Sequence, residues 1–253
     1  MFTRENKVKR WLAEGANITP MWTQSGSPTI VEAAVYAGWQ TILIDNEHGY
    51  TDLETTIHLI RAVEGAGGEV IVRVPWNDQV YLKRILDIGV QSLMIPMVND
   101  RESAQESVAA CRYPPAGRRG YAAPVVRASG YGTDSGYGAR ANAELLLIAQ
   151  IEHVDAVEQI EEIAAVEGID MLFIGPMDFA GSMGCLEGLT EPEVIAAIQN
   201  VEQRILGSGT MLGGFPLPGT TTAKLLERGY RLVAGQADIW LFSRAAAQAL
   251  ENL

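Results

Sequence analysis

The sequence predicts an α/β protein, a (β/α)8 TIM barrel folded as a single domain over residues 1–253. Two observations carry that expectation. Short apolar, β-branched runs alternate with helix-like segments almost throughout, eight of each, and no linker or low-complexity tract interrupts them. The main competitor, an open Rossmann-like sheet, calls for a G-x-G-x-x-G turn after the first strand, and none is present.

Taken in order, a strand is expected at 18–23 (ITPMWT), followed by a helix over 28–37. The next strand, 41–45 (TILID), leads into a helix over 52–65. Thr51 or Asp52 can cap its start, Leu53, Ile57, Ile60 and Val63 form an apolar stripe, and Gly65 can stop it. Strand 70–74 (VIVRV) precedes a helix at 78–88, and strand 92–96 (SLMIP) one at 100–111. The second half continues with strand 146–151 and helix 154–165, then strand 171–175 and helix 190–207. It closes with strand 210–215, helix 218–228, strand 231–235 and helix 237–250. One segment breaks this rhythm. Residues 112–143 are long, rich in Gly, Pro and Tyr, and carry Arg118, Arg119 and Arg127. Long ordered connections tend to be functional, so this one is a candidate active-site wall or an oligomer contact.

Composition narrows the function. A formal charge of −12 disfavours nucleic acid and anionic membranes as partners, because their phosphates would be repelled. No apolar run approaches the roughly 18 residues of a membrane span. The first residues, MFTRENKVKRWLAEG, are charged and lack a signal-peptide core, and Cys111 and Cys185 have no metal-type spacing. A cytoplasmic protein is expected.

In such a barrel, catalytic residues collect at the C-terminal ends of strands. Those ends hold Trp22; Asp45 with Glu47 and His48; Arg73; Gln150 with Glu152; and Gly175, Pro176 and Asp178. A charge within an apolar strand is costly unless paired. Arg73 therefore needs an anion, either a structural carboxylate or a substrate acid. Glu152 and Asp178 follow neighbouring strands. They suit a hard divalent cation such as Mg²⁺ or Mn²⁺, or else a salt-bridge network. His48 is a candidate general base, since imidazoles titrate near neutral pH, and Asp45 is close enough in sequence to orient its ring. His58 sits within the following helix, and His153 is either a helper of Glu152 or a helix start. Only Lys7, Lys9, Lys83 and Lys224 exist, none at a predicted strand end. Imine chemistry, which needs a lysine in the barrel mouth, is disfavoured.

The segments LIDNEHG, VIVRVPWND, LKRILDIGVQSLMIPMV, CRYPPAGRRG, QIEHVDAVEQIEEIAAVEGID and LFIGPMDFAGSMG, in this order, resemble the HpcH/HpaI aldolase family of metal-dependent class II pyruvate aldolases. These are enzymes of the 4-hydroxy-2-oxoheptanedioate and 2-dehydro-3-deoxyglucarate aldolase type. The resemblance implies that Glu152 and Asp178 are metal ligands for Mg²⁺, Mn²⁺ or Co²⁺. It also implies that His48 is the base with Asp45 as its dyad partner, and that Arg73 binds pyruvate. Gln150, Gly175, Pro176 and Trp22 would contact substrate, with Glu47 and Arg127 as supports. It implies an aldehyde-lyase that splits 4-hydroxy-2-oxo acids into pyruvate, or hydroxypyruvate, and an aldehyde. A hexamer whose last helix is swapped onto a neighbour is implied as well. Tyr50, Phe179, Ala122, Ala123 and the segment GGFPLPG depart from the family pattern and are expected to line the mouth or its supports, leaving the aldehyde open. The alternatives are a lyase acting on a CoA thioester, as in the citrate-lyase-like branch, and a non-catalytic barrel that binds a 2-oxo acid.

Overall fold

Side chains on a strand point alternately to opposite faces. Here both faces are buried, so the strands read as continuous apolar runs. The computed structural model describes residues 5–252. Its strands are β1 (Met21–Thr23), β2 (Thr41–Asp45), β3 (Glu69–Arg73), β4 (Ser92–Ile95), β5 (Leu146–Ile151), β6 (Met171–Ile174), β7 (Met211–Gly214), β8 (Tyr230–Val233) and β9 (Gln236–Ala237). All pair in parallel, in the order β8-β7-β6-β5-β4-β3-β2-β1-β9. The ninth strand arises because the last predicted strand is broken. β8 pairs with β7, and β9, two residues further on, pairs with β1. The two edges also meet where Ile18 N–H donates to Arg231 O (2.8 Å) and Val233 N–H to Ile18 O (2.9 Å). The sheet is thus curled and TIM-barrel-like.

The helices are α1 (Lys7–Ala13), α2 (Pro28–Tyr36), α3 (Leu53–Gly65), α4 (Gln79–Asp87), α5 (Arg101–Cys111), α6 (Tyr137–Arg140), α7 (Ile160–Ala164), α8 (Pro176–Ser182), α9 (Pro192–Ser208), α10 (Thr222–Glu227) and α11 (Asp238–Glu251). Local chemistry sets their starts. Ser27, Asp52, Asp78, Asp100 and Thr221 each accept a first-turn N–H, and Pro28, Pro176 and Pro192 open helices whose first N–H would be unpaired anyway. The α3 stripe differs in part from expectation. Thr56, Leu59, Ile60 and Val63 are buried, whereas Leu53 and Ile57 are only half-buried.

Alternation divides the core in two. Ile42, Ile44, Val72, Leu93, Ile95, Leu147, Ala149, Leu172 and Ile174 pack outward among the helices. Leu43, Ile71, Met94, Leu146, Ile148, Met171 and Phe173 fill the interior. Val8 and Leu12 of α1 join that inner cluster. The sequence pattern predicts no helix there. Asn6 donates to Ser92 Oγ (3.0 Å), and Lys7 pairs with Glu69 (2.6 Å), so α1 covers the end where strands begin. At the other extreme, Asp238 is the only buried residue of α11, while Ile239, Phe242 and Leu250 are exposed.

The long connection lies at that same beginning end. It leaves the C-terminus of α5 and enters the start of β5. Arg127 pairs with Glu64 (2.6 Å) near the end of α3 and donates to Ile88 O (2.9 Å) at the end of α4. Arg119 pairs with Asp87 (2.8 Å) and stacks on Tyr113. Within the chain, therefore, Arg127 does not support the site and residues 112–143 do not wall it.

Candidate active site

The inward face continues past the last apolar residue of several strands. Two residues beyond Leu43 is Asp45, two beyond Ile71 is Arg73, and two and four beyond Ile148 are Gln150 and Glu152. Asp45 and Arg73 are register partners on β2 and β3. Arg73 donates through Nε (3.0 Å) and Nη2 (2.7 Å) to the two oxygens of Asp45, a bidentate fork. Its Nη1 lies 2.9 Å from Glu47 Oε2, an ion pair not aligned as a hydrogen bond. The guanidinium also lies over the Trp22 ring, 4.7 Å from its centroid. The anion required by Arg73 is thus supplied by structural carboxylates, yet at least two of its five N–H groups are left for a ligand.

Asp45 is fully buried and saturated. Besides Arg73 it accepts from Trp22 Nε1 (3.0 Å), Gln24 Nε2 (3.3 Å) and the backbone N–H groups of Glu47 (3.0 Å) and His48 (3.2 Å). Burial raises its pKa, but Arg73, Trp22 and the His48 N–H outweigh that and hold it below the usual carboxylate range. This corrects the expected Asp45–His48 dyad. Asp45 accepts the backbone N–H of His48, and the imidazole, 58% exposed, has its Nε2 3.9 Å from Glu47 Oε1. The turn depends on Gly49, where any Cβ would collide with the Asp45 carbonyl.

Glu152 is equally enclosed. Its Oε1 accepts from Met97 N–H (2.8 Å) and its Oε2 from Gln150 Nε2 (2.8 Å). Met97 follows β4 in the left-handed region (φ 55°), uncommon for a side chain of its size and typical of functional sites. Burial, with the charges of Glu47 and Asp178, pushes the Glu152 pKa up to about 7 against the Met97 N–H and Arg73. Gly175 makes the enclosure possible, since a Cβ there would strike the Glu152 carboxylate. Asp178 lies in the first turn of α8, which Pro176 opens. This helix, like α1, is not among those the sequence pattern predicts.

These groups border one cavity of about 330 Å³. Trp22, His48, Arg73, Gln150, Glu152, Gly175, Pro176 and Asp178 all line it. Glu47 stands behind Arg73. Gln24, Phe173, Met177, Phe215, Ala237 and Trp240 also line it, and all but Phe215 are absent from the sequence-based set. Phe173 had a readable signal, being the register partner of Gln150 on the inward face. Phe215 falls in the atypical GGFPLPG segment. The other departures lie elsewhere, with Phe179 buried among the helices, Tyr50 exposed, and Ala122 and Ala123 in the long connection. His58 is exposed, and His153 caps a helical turn by accepting Asp155 N–H (3.2 Å).

The donor set fits a hard divalent cation. Glu152, Asp178 and Glu47 repel one another, which a cation would relieve, and Gln150 Oε1 is buried without a hydrogen-bond partner. Among the described residues no group of three or more His, Cys, Asp or Glu has metal-holding geometry. Glu152 and Asp178 are carboxylates of the kind that bind hard cations, and such sites keep further positions for water or substrate.

A family model described as HpcH/HpaI aldolase/citrate lyase matches residues 19–245. A hydroxypyruvate/pyruvate aldolase of Agrobacterium fabrum is 36% identical, over 94% of this chain and 90% of its own length. A 4-hydroxy-2-oxovalerate aldolase of Novosphingobium aromaticivorans is 39% identical, over 100% and 96% respectively. Among solved structures, an HpcH/HpaI aldolase/citrate lyase family protein from Burkholderia cenocepacia is 35% identical, covers 98% of both chains and superposes with a TM-score of 0.92.

Proposed function

The chain belongs to the HpcH/HpaI aldolase/citrate lyase family, and from that premise we propose that it is a class II aldolase. It reversibly cleaves 4-hydroxy-2-oxo acids to pyruvate, or hydroxypyruvate, and an aldehyde. The observation that carries the proposal is the convergence of Arg73, Gln150, Glu152, Asp178 and His48 on one cavity at the C-terminal ends of the strands.

Glu152 and Asp178 would hold a divalent cation, Mg²⁺, Mn²⁺ or Co²⁺, which would supply an electrophile for the charge that develops on the keto oxygen. Arg73 directs its free N–H groups at the same oxygen and is kept charged and aimed by Asp45 and Glu47. The first-turn N–H groups following the Gly175–Pro176 turn receive the substrate carboxylate. Gln150 fixes the orientation of Glu152, and Trp22 forms the floor. In cleavage a base removes the 4-hydroxyl proton, the C3–C4 bond breaks, and its electron pair enters the enolate while the aldehyde leaves. In synthesis His48, exposed at the mouth, assists removal of a methyl proton from the donor, and the enolate carbon attacks the aldehyde.

We read the chain as one TIM-barrel domain of a cytoplasmic enzyme; among the described residues no helix is long and apolar enough to cross a membrane. The exposed apolar side chains of α11 suit docking on a neighbouring copy, as in a hexamer with a swapped C-terminal helix. The central test uses a free 4-hydroxy-2-oxo acid without CoA. Chelation should abolish pyruvate release, and Mn²⁺ or Mg²⁺ should restore it. Full turnover in excess chelator, or a requirement for a CoA thioester, would overturn the proposal.

A further inference from the structure

The base proposed above stands on a turn and has little of its own to hold it. The His48 imidazole is largely exposed, and Glu47 Oε1 lies 3.9 Å from its Nε2, beyond hydrogen-bond reach. Where the ring sits is therefore decided by the backbone that carries it. Asp45 grips that backbone from inside the barrel by accepting the N–H groups of Glu47 and His48. Strand parity sends the next side chain, Asn46, to the other face.

That face is otherwise apolar. Ile42 and Ile44 precede Asn46 on it and pack among the helices. A third hydrocarbon would continue the core, yet the chain buries an amide, 5% exposed. Such burial is costly unless the hydrogen bonds are met, and here both ends of the amide are used. Nδ2 donates to Thr56 Oγ1 (2.9 Å) on α3 and to the Tyr81 hydroxyl (2.7 Å) on α4. Oδ1 accepts from Thr51 Oγ1. The Asn46 N–H donates to Arg73 O (2.9 Å), which carries the β2–β3 ladder one residue further. Thr56 and Tyr81 both lie in the first turns of their helices, beside the caps Asp52 and Asp78. One side chain thus joins the end of β2 to the starts of α3 and α4.

Resting on the aldolase reading above, we propose that Asn46 and Tyr81 are positioning residues for the proton-transfer step: they hold the turn from outside as Asp45 holds it from inside, so that His48 meets the cavity at a fixed place. The other site residues take their positions from different bonds. Both oxygens of Asp45 fix Arg73, and Met97 N–H and Gln150 fix Glu152. Loosening Asn46 should therefore slow proton transfer and leave donor and cation binding nearly intact.

The experiment uses the full chain with Mn²⁺ and follows deuterium exchange into the pyruvate methyl group without aldehyde, reading kcat and KM for pyruvate separately. Tyr81→Phe, which deletes one hydroxyl, should lower the exchange kcat by about tenfold. Asn46→Ala, which frees the whole link, should lower it by about 10- to 100-fold, the scale of a catalytic group misplaced by up to about 1 Å. KM for pyruvate and Mn²⁺ affinity by calorimetry should stay within about twofold, as for a loss confined to the transition state. Because the two residues act as one link, the double variant should lose no more than Asn46→Ala alone. In a His48→Gln background, where the group being positioned is gone, Tyr81→Phe should cost less than about twofold, whereas a general loosening would cost the same in both backgrounds. If Asn46→Ala does not fold, Tyr81→Phe alone and combined with His48→Gln still decide. Unchanged exchange in folded Tyr81→Phe, a loss confined to KM, or an equal loss in the His48→Gln background would overturn the inference. No exchange in the wild type would bring down the aldolase reading itself, whereas wild-type exchange that Tyr81→Phe leaves unmoved would overturn only the positioning role.

Discussion

Replacing Gly175 by alanine tests how tightly the carboxylate site is built. The backbone there, at φ −94° and ψ 90°, is open to any residue, so the substitution adds no backbone strain. What it adds is one methyl group against Glu152. The new Cβ would overlap Glu152 Oε2, and it would lie 2.9 Å from Glu152 Cβ and 3.2 Å from Gln150 Nε2, where ordinary contact begins at 3.4 Å. Glu152 must therefore retreat by about 0.5 Å at Cβ, and by more at the carboxylate that ends the lever. A misplacement of about 1 Å in a catalytic group costs about 10²-fold in rate, so the expected loss is about 10- to 100-fold in kcat. Divalent-cation affinity should fall with it. Methyl-proton exchange of pyruvate and calorimetric titration with Mn²⁺ read these two effects separately. Gly207→Ala is the control, since it lies inside α9 with nothing within 4 Å of the new methyl. It should gain about 0.4–1 kcal/mol in stability at unchanged activity. Wild-type kcat and cation affinity in a folded Gly175→Ala protein would refute the claim that this close approach positions Glu152.

Three further outcomes follow from the buried charges and the exposed base. Arg73→Met leaves Asp45 buried without its partner and should cost about 3–5 kcal/mol in urea unfolding at pH 7. Because the folded pKa of Asp45 is depressed, that deficit should be full above the unfolded carboxylate pKa of about 3.9 and shrink as pH falls through the lower folded value. His48→Gln should slow methyl-proton exchange by about 10²-fold or more while stability stays within about 0.5 kcal/mol of wild type, as the side chain is exposed; unchanged exchange would remove His48 from the base role. For Asp238, burial raises the pKa, but the Ser25 and Thr23 hydroxyls and the Gln24 and Ser25 N–H groups lower it further. Asp238→Asn therefore places an amide NH₂ among donors and should cost about 1–3 kcal/mol near neutral pH, converging with wild type as pH drops below about 3.9.

The alternation of strands was legible in the sequence because parallel strands with two buried faces leave uninterrupted apolar runs. The site residues were legible because charge at the end of such a run is costly without a purpose. Side-chain direction was not. Asp45 and His48 are three residues apart, which suggests a dyad, yet Asp45 keeps the inward parity of Leu43 and meets Arg73 across the β2–β3 register. His48 lies beyond the strand, where parity no longer applies. Of the two expectations for the long connection, the active-site wall fails within the chain, because connectivity rather than the count of arginines decides which end of the barrel it occupies. A segment running from a helix to the next strand lies where strands begin, so Arg127 belongs with Glu64 and Ile88. Helix α1 was hidden because its seven residues bury only Val8 and Leu12, too few for a visible period. Trp240 was hidden because no local pattern tells a residue that it faces a cavity over two hundred positions along the chain from Trp22.

That difference in legibility reflects how the two halves of the cavity are built. Asp45, Arg73 and Gln150 stand on strands with fixed register, and Glu152 directly follows one, so none can move without disturbing paired neighbours on both sides. Met177, Phe215 and Trp240 stand on a short helix, a loop after β7 and the first turn of α11. Each can change size or polarity without shifting a strand. A barrel arranged this way can keep its strand-borne charged residues and vary those carried on loops and helix starts. Substitutions at Gly175 should then lower turnover with every aldehyde alike, while substitutions at Phe215 and Trp240 should reorder the aldehydes. Gly175→Ala acting selectively on one aldehyde would show that the two halves are not separable.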